Sequence, residues 1–156
     1  MKVLGVDPGI HGGLAIIEII DGAAPVLLDT IDIPVAGVGA KERVDPLAIR
    51  VWLELHKPQH AFIERSQAMP QQGSSSGFKY GRAVGAIEAT IACAGVPTTI
   101  IEPSQWKRFH HLHGGDKEGG RQRALQLFPS GHSLLSLKRH HGRAEAALLV
   151  LYGART

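Results

Sequence analysis

Cysteine is nearly absent: Cys93 stands alone. That excludes an internal disulfide and a zinc site built from cysteines, and it fits a reducing compartment. A cytoplasmic location is therefore expected. Long apolar runs are missing too. None approaches the roughly 18 residues of a membrane-crossing helix, so no membrane association is expected. The opening residues, MKVLGVDPG, lack the apolar stretch and small-residue cleavage site of a secretory signal. Low complexity is confined to GSSSG at 73–77, too short for an interdomain linker, and there is no internal repeat. What remains is 156 residues, 44% apolar and 20% charged, enough to bury a core within one domain spanning residues 1–156.

Charge is divided unevenly. Residues 1–78 carry 6 Lys/Arg against 9 Asp/Glu, whereas residues 79–156 carry 11 against 5. Six of the nine histidines also fall in the second half. An acidic half followed by a basic half is compatible with tracking a polyanion, and equally with an uneven solvated surface.

Val3–Val6 reads as a buried strand that stops at the turn Asp7-Pro8-Gly9. Leu14–Ile20 and Val26–Ile33 read as two more strands, separated by the hairpin-type turn Asp21-Gly22. Residues 34–44 have loop composition. Asp45-Pro46 is an N-cap followed by proline at the first helical position, and the helix should run to about Lys57 before Pro58. His60–Glu64 is a fourth strand, and residues 65–77 a polar loop. From about Phe78 a long helix follows, with Gly81, Gly85 and Ala89 recurring every four residues, and Gly95 stopping it. Thr98–Ile101 is a fifth strand. Short helices begin at Pro103 and near Asp116, and a largely apolar helix runs from about Gly142 to Tyr152. Three hairpin-linked strands followed by helical crossovers predict an α/β fold: a mixed five-stranded sheet, antiparallel then parallel, flanked by helices.

Functional groups collect at the carboxyl ends of strands in such sheets. Asp7 ends the first strand and Glu64 the fourth. Taken singly, Asp7 reads equally well as a turn residue and Glu64 as a solvated strand end. Together they would repel unless a cation or a proton lay between them, and an oxygen-rich pair suits Mg²⁺ or Mn²⁺. Glu145, early in the last helix, is the candidate third acid, with His141 one turn before it on the same face. Glu145 could instead simply favour the helix dipole. His110, His111 and His113 have no spacing that completes a zinc site by themselves. Trp52 and Trp106 read as core.

Four segments, GVDPGIHGGLAII, FIERSQAMPQQGSSSGFKYGRAVGAIEA, PSQWKRFHHLHGGDKEGGRQRALQLFP and HHGRAEAALLVLYG, together resemble the RuvC-like Holliday-junction resolvases, in particular their compact phage and chloroplast branch. The resemblance runs over nearly the whole chain. It implies an RNase H-like fold, a homodimer, and metal-dependent cutting of two opposed strands of a four-way DNA junction. It carries Asp7, Glu64 and Glu145 onto the catalytic acids, with two Mg²⁺ ions per site and Mn²⁺ as a possible substitute. Where the family usually has a fourth acid, this chain has His141, with His140 in reserve. Lys107 falls near the scissile backbone. Met69 and Phe78 would reach the junction centre, Tyr80 would pack inward, and Lys79, Arg82, Lys117, Arg121, Arg123 and Arg143 would contact DNA. The small-residue face of the long helix would form the dimer contact, or else pack on the sheet. The same fold also leaves open an RNA- or hybrid-cutting nuclease and a branched-DNA binder that does not cut. Sugar kinases and actin-like ATPases share the opening turn but need two such domains.

Overall fold

The computed structural model describes residues 1–67, 73–113 and 116–155. Along β1 (Lys2–Asp7), Val3 points to one face of a sheet and Leu4 and Val6 to the other. In β2 (Gly13–Glu18), Ala15 and Ile17 share the face of Val3, while Leu14 and Ile16 share that of Leu4. Near-continuous apolar strands of this kind need cover on both faces. They receive it from α1 (Pro46–His56) and α2 (Ser74–Cys93) on one side and from α3 (Pro103–Phe109), α4 (Lys117–Leu127) and α6 (His141–Gly153) on the other.

Five strands form the main sheet in the order β3-β2-β1-β6-β7, with β3 at Val26–Asp32, β6 at His60–Glu64 and β7 at Thr98–Ile101. β1 pairs antiparallel with β2, and β2 with β3; β1–β6 and β6–β7 are parallel. The expected mixed five-stranded sheet is thus present.

Local chemistry sets the helix ends. The Asp45 carboxylate accepts from the Leu47 and Ala48 N–H groups, Pro46 opens α1, and Lys57 closes it in the left-handed region. Asp116 accepts from Gly119 N–H at 2.8 Å to start α4. α6 is buried on nearly every side, and burying Leu148, Leu149 and Val150 contributes about 1.5–3 kcal/mol each.

Some boundaries differ from expectation. The stretch read as a loop at 34–44 contains a small hairpin, β4 (Val35–Ala36) against β5 (Arg43–Val44). Neither strand is long enough for an alternation pattern to register. α2 begins at Ser74 rather than Phe78, because the serines that look loop-like are exposed on its first turn. A four-residue helix, α5 (His132–Leu135), also escapes sequence reading, being too short for a periodic signal.

Two glycines govern how α6 meets the sheet. A Cβ on Gly5 would run into the Ala146 carbonyl, and one on Gly13 into the backbone of Gly142 and Arg143. Their absent side chains let the helix lie directly on the strand backbones.

Candidate active site

Strand periodicity places the first two acids. Asp7 follows Val3 and Gly5 on the α6 side of the sheet, and Glu64 follows Phe62 on the same side. Val6 pairs with Ile63 in the parallel register, so Asp7 and Glu64 are the next residues on adjacent strands. The glycine contacts then bring Glu145, in the second turn of α6, down onto the strand ends. One ligand oxygen from each of Asp7, Glu64 and Glu145 lies within 4.8 Å of the others.

Burial dominates the electrostatics of all three acids, and repulsion from the neighbouring carboxylates adds to it chiefly at Asp7. Burial pushes Asp7 well above the ordinary carboxylate range, and Glu145 and Glu64 push it further, while Lys107 and Lys117 pull it back. Glu64 is raised chiefly by burial, against the opposing pull of Lys107 and of a hydrogen bond from Trp106. Glu145 is raised by burial, with Lys107 and Lys117 opposing. Three crowded, half-desolvated carboxylates constitute an oxygen donor set short of positive charge. That chemistry fits a hard divalent cation such as Mg²⁺ or Mn²⁺.

Around the cluster the expected residues fall into distinct groups. Lys107, on α3, is half-buried with Nζ 5.2 Å from the Trp106 ring centroid. Lys117 opens α4 and is exposed. His141 is half-buried at the first position of α6, four residues before Glu145. Among the described residues no group of three mutually close ligand atoms includes it. His140 is buried, and its Nδ1 accepts from the Leu137 N–H at 3.3 Å; burial and the nearby Arg143 lower its pKa.

Several cations expected on DNA have partners inside the chain. Arg121 is buried and donates to Glu118 at 2.6 Å and to the Leu135 and Ser136 carbonyls at 3.0 Å each. It ties α4 to the end of α5 and the residue after it, so its guanidinium is engaged within the chain rather than exposed. Arg143 donates bidentately to Asp32 at 2.6 and 3.0 Å, clamping the start of α6 to the end of β3. Arg123 is half-buried and reaches Gln126 at 3.3 Å. Lys79 and Arg82 are exposed on α2, and Phe78 is 70% exposed there rather than packed inward. Tyr80 is half-buried, its hydroxyl donating to Ser66 Oγ at 3.2 Å. Met69 lies outside the described residues.

Two clefts carry several of the expected cations, though neither is lined by the three acids themselves. One, of about 550 Å³, is lined by Lys107, Arg108, His111 and His113. The other, of about 560 Å³, starts at Ile10 and His11 just past the Asp7 turn and carries Arg43, Lys79 and Arg82.

Sequence reasoning missed two contacts. Trp106, read as core, is indeed 1% exposed, yet its Nε1–H donates to Glu64 Oε2 at 2.7 Å. The Arg143–Asp32 clamp spans 111 residues, and no local pattern signals it. For Trp106 the one available signal was its place in PSQWK beside Lys107.

A mixed sheet of this order, with acids at the ends of β1 and β6 and on the last helix, defines an RNase H-like fold. Comparison with solved structures agrees: RuvC of Thermus thermophilus in complex with a Holliday junction substrate matches with TM-score 0.75 over 99% of this chain and 95% of that one, at 23% identity. A second T. thermophilus RuvC structure matches at TM-score 0.64 and 23% identity, covering 99% and 96% of the two chains. By sequence, the crossover junction endodeoxyribonuclease RuvC of Rhodococcus opacus is 30% identical over 112 residues, covering 69% of this chain and 58% of that protein. The chain is a homologue of RuvC in sequence and in fold. It spans little more than half the length of this curated relative. No protein-family model matches it. Among the described residues no helix is long and apolar enough to cross a membrane.

Proposed function

We propose that residues 1–156 form one nuclease domain that resolves four-way DNA junctions by hydrolysing phosphodiesters. The observation that carries this reading is the approach of Asp7, Glu64 and Glu145 to within 4.8 Å in a chain homologous to RuvC. The three carboxylates would hold two Mg²⁺ ions, for which Mn²⁺ could substitute. Such ions, when bound, supply polarisation of the scissile phosphate and acidification of an attacking water. The chain's own residues do the rest. Asp7, which both other acids push upward, would hold a cation together with Glu64 and Glu145. Lys107, close enough to lower the pKa of all three acids, would balance charge at the cut phosphate. His141, one helical turn before Glu145, is the proposed group for orienting a water at the second cation.

DNA would be held by the exposed Lys79, Arg82 and Lys117, with Phe78, 70% exposed, reaching the junction centre. Arg123 and Arg143 are left as supports of the fold on the contacts they make. Two symmetric cuts need two copies of the site. Gly81, Gly85 and Ala89 are exposed on α2, and a Cβ on Gly81 or Gly85 would meet open space, so this face is free for a second copy rather than spent on the sheet. An apolar groove of about 410 Å³ that includes Leu47, Ala86, Ala89 and Cys93 continues it.

Incubation with a labelled four-way junction, a duplex and an RNA–DNA hybrid, with and without Mg²⁺, tests the proposal. Paired nicks in the junction alone, only with Mg²⁺, are expected. Preferential cutting of the hybrid would replace the reading with an RNA-directed nuclease. Tight junction binding without cutting under any metal would replace it with a binding module.

A further inference from the structure

We propose that Trp106 is a positioning residue for Glu64: its indole N–H fixes the rotation of a cation-binding carboxylate, and its fluorescence therefore reports cation binding. The proposal rests on the reading of the three acids as a cation site. Indole can only donate, so it cannot itself be a ligand. Trp106 is sealed in the core against α4 and α6, and a ring packed that tightly cannot turn to find another acceptor. It commits its one polar atom to Glu64 Oε2 at 2.7 Å, the short length of a charge-assisted hydrogen bond. With Oε2 pinned, the lone pairs of Oε1 are left for a cation. The other tryptophan provides a contrast. Trp52 donates at 3.1 Å to Asp29, which His56 also contacts at 2.9 Å, on the opposite face of the sheet. Its carboxylate partner belongs to no acidic cluster among the described residues.

Partners that orient a metal ligand typically cost about 10- to 100-fold in metal affinity when removed. Trp106→Phe removes the N–H and keeps a ring face beneath Lys107, so the cation–π contact is largely retained. The test is calorimetric titration of the full chain with Mn²⁺. A Kd raised about tenfold or more in Trp106→Phe, with junction affinity in chelator unchanged, supports the role. An unchanged Kd overturns it.

The buried ring makes folding of that variant a separate question, so a second measurement leaves Trp106 in place. In Trp52→Phe, Trp106 is the sole tryptophan. Titration with diamagnetic Mg²⁺ should change its emission in step with calorimetric occupancy, because a cation draws electron density from Glu64 and weakens the bond to the indole. Adding Asp7→Asn in this background should abolish the response. Unaltered emission at calorimetric saturation overturns the proposal. Absence of any Mg²⁺ or Mn²⁺ binding heat in the wild-type protein defeats the cation reading itself, which is a separate result.

Discussion

Replacing Asp7 with asparagine should make the cation-free protein more stable. Its carboxylate lies within 4.8 Å of two others and is half-buried beside them. Two unit charges at that separation repel by about 3.5 kcal/mol at an effective dielectric of roughly 20. Lys107 and Lys117 cancel part of this, and partial protonation of the cluster cancels more. A net gain of about 2 kcal/mol is a conservative remainder. For a chain of this size it corresponds to a rise of about 4–8 °C in Tm. The pH dependence adds a second signature. Because the folded-state pKa of Asp7 is raised, the folded protein keeps a proton that the unfolded chain has already released. Stability from that proton is fully present below the ordinary carboxylate value and is lost as pH climbs through the raised one. Asparagine cannot titrate, so this part of the slope should vanish. Thermal melts from about pH 4 to 9, in chelator and in Mg²⁺, read both effects. Mg²⁺ should raise the wild-type Tm most at the alkaline end and act much less on Asp7→Asn. A variant that melts at or below wild type at about pH 8 in chelator, with the same pH slope, would refute the crowding argument.

Cleavage and assembly give further outcomes. His141→Ala should lose most junction cleavage while His140→Ala mainly lowers Tm, since His140 is buried at the turn before α6; normal cleavage by both would show that the carboxylates suffice. A bulky residue at Gly85 should disrupt the α2 dimer contact, overpacking costing about 1–3 kcal/mol, with light scattering reading the monomer; a wild-type chain monomeric at micromolar concentration, with and without DNA, rejects the dimer. Lys117→Ala should flatten the log–log salt dependence of junction binding by roughly one unit. Arg121→Ala should leave that slope alone and cost about 1–3 kcal/mol of stability, because the Leu135 and Ser136 carbonyls lose their donor; a flattened slope there instead would return Arg121 to the DNA surface.

The sheet was legible because each strand carries an apolar run ended by a turn signal. Asp7-Pro8-Gly9 and Asp21-Gly22 mark where strands must stop, and Asp45-Pro46 marks where a helix must start. The β4–β5 hairpin was not legible, as two-residue strands leave no period to read. The start of α2 was misread for a related reason: serine reports poor helix propensity, while the apolar contacts of Ala83, Val84 and Ile87 further along hold the whole helix in place. Of the site, the three acids could be named from strand ends and one helical position. The partners of the cations could not. Arg121 and Arg143 look identical to phosphate-binding arginines until chain folding supplies Glu118 and Asp32.

Those hidden contacts explain how the acids stay together at all. Bringing three carboxylates into a half-buried cluster opposes folding, so something else must hold the elements that carry them. Backbone contact at Gly5 and Gly13 seats α6 on β1 and β2 without intervening side chains. Register then does the aiming: Asp7 pairs with Gly13, and Gly13 with Asp32, so one line across three strands joins the first acid to the anchor of Arg143. Two residues beyond Arg143 stands Glu145. Arg143 thus holds the turn of α6 that carries Glu145 against the end of β3. Its loss should loosen Glu145 before it weakens DNA binding, and the repulsion within the cluster would drive the separation.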